Sequence, residues 1–232
     1  MDKFTDCLYR DICDYDIPCK QACLRYSITK YLLENSNIAK NKWGVNQLIP
    51  DKCDIKAFEV LAEIRDNIVE FVNSGGCLYL YSNTCGNGKT TWAIKLMLQY
   101  FNDIWEYSGY NTKGIFMNVP TFLYQSKSII SKPDAEFENL RQQLLNVDLV
   151  IWDDIASNKM SNYDYDLILA FIDTRIVNGK ANIFTGNIHK DDLYKYVGDR
   201  LSSRILSGAK IQLKGTDKRN GSITNLKQNI DI

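Results

Sequence analysis

The sequence lacks several features that would fix its class at once. It carries no net charge, with 28 Lys and Arg against 28 Asp and Glu. That excludes a generally basic coat for nucleic acid, though not a local patch. No apolar run approaches the roughly 18 residues of a membrane-spanning helix; the longest are short stretches such as Cys77-Leu78-Tyr79-Leu80-Tyr81. The start, Met1-Asp2-Lys3-Phe4-Thr5-Asp6, has none of the basic-then-apolar pattern of a secretory signal. A cytoplasmic protein with no membrane partner is therefore expected. Internal repeats and low-complexity segments are missing too. The one histidine, His189, reads as a surface residue at a helix start and is given no role.

What is present is ordinary globular material, 45% apolar and 24% charged, which argues against disorder. At roughly 150 residues per domain, 232 residues hold one substantial core and an appendage. Charge is unevenly spread: from Lys195 to Ile232 eight basic residues face three acidic ones, a local surplus of five. The seven cysteines are uneven as well. An odd count in a reducing compartment points to thiols or metal ligands rather than disulfides. Cys7, Cys13, Cys19 and Cys23 crowd the N-terminus and are a candidate four-thiolate zinc site, with spacing looser than paired two-residue knuckles. A segment of about 50 residues buries little core and gains from a metal staple; unligated thiols and an iron–sulfur cluster stay open. Cys53, Cys77 and Cys85 read as structural.

Residues 46–51 read as a linker because Pro50 disfavours helix before it, so the expected division is 1–50, a Cys-rich segment, and 51–232. Ahead of the linker, only a helix near Ser27–Leu33 is expected. Beyond it, Ile55, Phe58, Leu61, Ile64, Ile68 and Val72 recur at helical spacing and are closed by Ser74-Gly75-Gly76. Strands are expected at 77–82, 114–119, 148–152, 182–185 and 210–213. Helices are expected at 90–100, 123–130, 135–145, 165–177, 191–196 and 199–206. Strands alternating with helices predict an α/β domain with a mainly parallel sheet flanked by helices.

Asn83-Thr84-Cys85-Gly86-Asn87-Gly88-Lys89-Thr90, with Thr91 following, matches a phosphate-binding loop between a strand and a helix. Loop N–H groups would cradle phosphates, Lys89 would reach the β/γ-phosphates of ATP, and Thr90 would sit on Mg²⁺. Asn83 stands where the pattern has Gly; Asn tolerates a left-handed backbone best after Gly, so the turn survives. Some 60 residues on, an apolar strand ends in Asp153-Asp154. That arrangement assigns Asp153 to the metal and Asp154 to the attacking water.

From Leu48 to Gly215 the chain resembles the AAA+ ATPases, specifically bacterial and phage helicase loaders of the DnaC/DnaI type, with the initiator DnaA as a relative. The resemblance implies an AAA+ P-loop core, a sensor role for Asn187 after Asn182–Gly186, and an arginine-finger box at Gly198–Arg204. Arg204 is favoured as the finger, with Arg200, four residues earlier, supporting it. It also implies self-association through the ATP sites, a replicative hexameric helicase as partner, and helices over 120–145 that contact single-stranded DNA. In that segment Phe122, Tyr124, Lys127 and Lys132 combine aromatic and basic character. Packing of the two aromatics into the core is an equal alternative. The chain stops soon after Arg219, so the helical lid of most AAA+ proteins, and the duplex-binding domain of DnaA, are not expected. A transposition ATPase acting with a transposase shares the core and stays open. Gram-positive loaders carry an N-terminal zinc domain with a different ligand pattern.

Overall fold

The computed structural model describes residues 23–44, 48–129 and 134–218. Helix α1 (Leu24–Glu34) leads, through short turns, to α2 (Ile55–Asp66) and α3 (Ile68–Asn73). Five strands follow in alternation with helices: β1 (Cys77–Tyr81), α4 (Lys89–Ser108), β2 (Gly114–Asn118), α5 (Val119–Ile129), α6 (Ala135–Asn146), β3 (Leu149–Asp153), α7 (Asn162–Val177) and β4 (Ala181–Gly186). Two short helices, α8 (Tyr194–Val197) and α9 (Asp199–Ile205), precede the last strand, β5 (Ala209–Gln212). The strands form one parallel sheet in the order β2-β3-β4-β1-β5.

The period of two along each strand decides which layer a side chain joins. Leu78, Leu80, Leu149, Ile151, Ala181 and Ile183 face one core with α1, α2, α3 and α4. Tyr79, Tyr81, Val150, Trp152 and Phe184 face the other, with α5 to α9. Because both faces are covered, the strands are apolar almost throughout, as parallel sheets require.

The expected helix over 55–72 is two helices broken at Asn67, whose Nδ2 donates to Glu63 O at 2.9 Å. Its own N–H donates to the same carbonyl at 3.1 Å, and the break lies in its backbone, which leaves helical geometry at φ −116° and ψ 29°. The helix expected to end near Tyr100 runs on to Ser108, because Phe101, Ile104 and Trp105 stay buried on the same face until Gly109 turns left-handed at φ 56°. Helix α7 begins at Asn162, three residues early, behind a Ser161/Asp164 capping box.

Described residues ahead of the expected boundary at residue 50 pack against the α/β unit. Ile28, Leu32, Leu33 and Ile38 belong to the same core as α4. Arg25 Nη2 donates to Asn102 Oδ1 at 2.9 Å, and Phe116 N of the edge strand β2 donates to Ser36 O at 2.7 Å. Residues 24–43 are thus a wall of the α/β unit and cover part of its open strand edge. Cys7, Cys13 and Cys19 lie outside the described residues, and so does Lys132. Cys23 is a half-buried free thiol just ahead of α1. Among the described residues, no group of three or more His, Cys, Asp or Glu could hold a metal, and no helix is long and apolar enough to cross a membrane.

Candidate functional site

The carboxyl ends of β1, β3 and β4 lie side by side, the edge where open α/β sheets bind ligands. There they frame a cleft of about 700 Å³, lined among others by Gly86, Gly88, Lys89, Thr90, Thr91 and Cys85 from the loop after β1. Asp153 and Asp154 after β3, and Asn187 after β4, line it too.

The loop is braced from beneath. Asn87 is wholly buried: its Nδ2 donates to Ser82 Oγ at 2.6 Å and to Leu213 O at 3.2 Å, while its Oδ1 accepts from Lys89 Nζ at 3.2 Å. Lys89 Nζ also donates to Thr84 O at 2.9 Å. The left-handed backbone falls at Gly86 (φ 75°) and Gly88 (φ 102°). Asn83 does not take up the positive φ its residue type allows, and neither Asn83 nor Thr84 nor Asn87 lines the cleft. Gly88 caps α4, so the loop amides and the helix N-terminus face the same space.

Opposite the loop, Thr90 Oγ1 donates to Asp153 Oδ1 at 2.7 Å. A hydroxyl and a carboxylate meeting there are the hard oxygen donors Mg²⁺ prefers. The same Oδ1 accepts from Thr185 Oγ1 at 2.7 Å, and Thr185 Oγ1 accepts from Asp154 N at 3.0 Å. Thr185 therefore fixes both carboxylate-bearing residues, a role the sequence reading missed. It lies in the buried strand β4, where no local pattern in the sequence sets it apart. Asp154 has a left-handed backbone (φ 61°), uncommon for a residue with a Cβ and a mark of functional sites. Asn187 Nδ2 donates to its Oδ1 at 3.2 Å. Burial raises the Asp154 pKa above the ordinary carboxylate value; neighbouring Asp153 adds to the shift and Lys89 opposes it.

The far end of the cleft is formed by Leu48, Ile49 and Lys218. Lys218 belongs to a strap over 213–218 that crosses the loop: its N donates to Gly86 O at 3.1 Å and its Nζ to Ile49 O. The strap is held by acidic residues ahead of α2. Asp54, fully buried, accepts from Lys214 N at 2.7 Å and Gly215 N at 2.9 Å; Asp51 accepts from Thr216 N at 2.8 Å. A Cβ on Gly215 would meet the Asp51 carboxylate at 2.1 Å and the Asp54 carboxylate at 2.6 Å, so a side chain there would displace the two groups that hold the strap. Asp54→Ala orphans the buried N–H of Gly215 and the part-buried N–H of Lys214, and is expected to cost about 1–3 kcal/mol. It should also weaken nucleotide affinity by freeing the strap, which thermal melts with and without ATP will show.

Of the residues expected to contact DNA, Phe122 is excluded. It is fully buried, stacked on Phe137 at 5.3 Å and edge-on to Phe171 at 5.7 Å. Tyr124, on the same helix, is 77% exposed. Lys127 is half exposed and paired with Asp164 at 2.9 Å. Both border a groove of about 300 Å³ that runs from α5 along residues 155–160 to Asp154.

Arg200 and Arg204 do not line the cleft of their own chain. Both close instead on one carboxylate of α7, Asp173, Arg200 through Nη2 at 2.5 Å and Arg204 through Nε at 2.7 Å.

No protein-family model matches the chain, and no curated protein matches it in sequence. Solved structures do match. The chain is similar to the DnaC helicase loader at 21% identity and TM-score 0.63, over 76% of this chain and 100% of that one. It is similar to DnaI at 17% identity and TM-score 0.61, over 79% of this chain and 95% of the other. The replication initiator DnaA, bound to AMPPCP and single-stranded DNA, matches at 22% identity and TM-score 0.55; 85% of this chain spans only about half, 54%, of that one. These likenesses show the fold alone, a parallel sheet between helices that matches the fold of AAA+ P-loop domains.

Proposed function

We propose that the chain is an AAA+ ATPase that loads a replicative hexameric helicase onto single-stranded DNA during replication initiation. One observation carries this reading: Lys89, Thr90, Asp153, Asp154 and Asn187 converge on one cleft, in a chain whose fold spans the whole of a DnaC helicase loader structure.

On this reading the loop amides and the N-terminus of α4 hold the phosphates of ATP, with Lys89 on the β/γ oxygens. Thr90 and Asp153 would hold Mg²⁺, which when bound neutralises charge on the β- and γ-oxygens. Asp154 orients the attacking water and takes its proton. Asn187 would steady that carboxylate through the bond from its Nδ2 and reach toward the γ-phosphate. Because Arg204 and Arg200 lie away from their own cleft, they act on ATP bound by a neighbouring copy. Tyr124 offers a stacking face to a base, while Lys127 exchanges Asp164 for a phosphate; Lys132, outside the described residues, is a second candidate phosphate contact. The Cys-rich N-terminus grips the helicase, and Cys7, Cys13, Cys19 and Cys23 would supply four thiolates to zinc; the unbridged Cys23 thiol fits that set. Hydrolysis then weakens the assembly and releases the helicase.

The test mixes the full chain with the replicative helicase of the same source under ATP, ADP and no nucleotide, reading mass on elution. A complex of defined stoichiometry that responds to nucleotide is expected, lost on deletion of residues 1–22 while ATP turnover persists. Intact ATP turnover with no complex in any nucleotide state would overturn the loader reading.

A further inference from the structure

The arginine pair has a feature that its two positive charges do not explain. Arg200 and Arg204 sit on the exposed side of α9, whose Leu201, Ser202 and Ile205 are buried. Four residues apart, they are neighbours on one helix face, where like charges repel. Yet they converge, because each takes one oxygen of Asp173, Arg200 on Oδ2 and Arg204 on Oδ1. The carboxylate is the most enclosed of the three groups, its side chain 21% exposed against 62% for Arg200 and 45% for Arg204.

The two arginines use different nitrogens. Arg200 spends a terminal nitrogen on Asp173, whereas Arg204 gives its Nε. A guanidinium is planar and rigid, so a bond at Nε fixes its plane while its terminal fork keeps the geometry for bidentate contact with phosphate oxygens. Among the described residues, no hydrogen bond engages the Arg204 fork. One carboxylate against two guanidiniums also leaves a net positive charge at this edge, suited to a polyphosphate. The scaffold beneath is firm: Gly198, at φ 74°, turns the chain into α9 over the Tyr165 ring.

We propose that Asp173 is a positioning residue that holds Arg204 by its Nε, so that the terminal fork meets the γ-phosphate of ATP bound by a neighbouring copy. This rests on the reading above that the arginines act between copies. Arg200 occupies the second oxygen and keeps the carboxylate from swinging. An arginine without that anchor still carries its charge to the interface but arrives in many orientations. The loss therefore falls on the chemical step and not on ATP binding.

The experiment measures steady-state ATP turnover per chain against protein concentration, with the full chain and the variants Arg204→Ala, Asp173→Ala, Asp173→Asn and Asp173→Glu. Wild-type turnover should rise with concentration. Asp173→Ala should lower kcat by about 10- to 100-fold with KM for ATP unchanged, and Asp173→Glu should recover more than Asp173→Asn. Mixing Asp173→Ala with Lys89→Ala should restore turnover, because the second variant supplies an anchored arginine to the ATP held by the first. A merely structural defect would not be complemented in this way. If wild-type turnover is independent of concentration and Arg204→Ala is silent, the action between copies is itself wrong. If those two behave as expected but Asp173→Ala keeps wild-type kcat, or the mixture stays inactive, the assignment of Asp173 is overturned alone. Should Asp173→Ala fail to fold, Asp173→Asn in the same mixture decides.

Discussion

Asp154→Asn is expected to lower ATP turnover by about 10²- to 10⁴-fold, the usual scale for loss of a general base, while ATP affinity holds. Asparagine is the informative replacement. Asp154 sits at φ 61°, a region that Asn enters readily and Ala does not. The variant keeps the backbone and an Oδ1 acceptor for Asn187 and removes only the charge. The proposed role needs an ionised carboxylate. Because burial and Asp153 raise the Asp154 pKa, the acid limb of kcat should lie above the value of about 4 for a free aspartate.

The same shift predicts a stability effect of opposite sign. An acid with a raised folded-state pKa binds its proton more tightly in the native state, so stability falls as pH rises between the unfolded and folded values. The cost is complete above the folded value and absent below the unfolded one. Asp154→Asn should therefore melt higher than wild type at neutral pH, and the gap should close as pH falls toward about 4. A variant that melts identically at all pH, or that keeps wild-type turnover, would remove Asp154 from the role given to it. Losing activity while gaining stability is the mark of a strained functional group and not of a damaged fold.

How far such features could be read in advance depended on the range of the interactions that set them. That the loop after β1 and the Asp153-Asp154 pair meet at one cleft was legible because strand, turn and helix follow one another within a few residues. The sheet was legible because buried parallel strands are continuous apolar runs. The break at Asn67 was missed because the hydrophobic period continues through it, and only the backbone of Asn67, at φ −116° and ψ 29°, departs from the helix. Phe122 could not be separated from Tyr124 by composition. They are two residues apart on α5, and which one faces the core depends on Phe137 and Phe171 arriving from α6 and α7. The membership of 24–43 in the core was hidden for the same reason: α1 is short, and its partner α4 is distant in sequence. Thr185 and Asp173 act only through residues some 30 positions away, so no local pattern marks them.

Arg175→Met is expected to cost about 3–5 kcal/mol, because several buried acceptors, at about 1–3 kcal/mol each, lose their donor. The sequence places this arginine in the last turn of α7, where a basic residue ordinarily reads as a solvated charge near the helix C-terminus. It is instead fully buried. Its Nε donates to Asn182 Oδ1 at 2.8 Å, Nη1 to Leu144 O at 2.6 Å and Val147 O at 2.9 Å, and Nη2 to Ala181 O at 2.6 Å. Asn182 Oδ1 also accepts from Trp152 Nε1 at 3.0 Å. One side chain thus satisfies carbonyls at the end of α6, before β3 and at the start of β4, which face no water. Burial lowers the Arg175 pKa to about 9, with Asp148 opposing, so the group stays charged at neutral pH.

Methionine keeps most of the volume and removes every donor, so the loss measures the hydrogen bonds and not a cavity. Arg175→Lys should recover little, since one ammonium cannot reach acceptors spread over three elements. The melting temperature should drop by on the order of 10 °C. Hydrogen exchange should quicken first in α6, which this clasp ties to the sheet, and then in α5, which packs on α6 through Phe122 and Phe137. The loop after β1, on the far side of β4, is held by Ser82, Asn87 and Leu213 instead. Single-stranded DNA binding should therefore weaken before ATP binding does. A variant that unfolds at the wild-type temperature, or loses both ligands together, would show that the clasp does not divide the molecule this way.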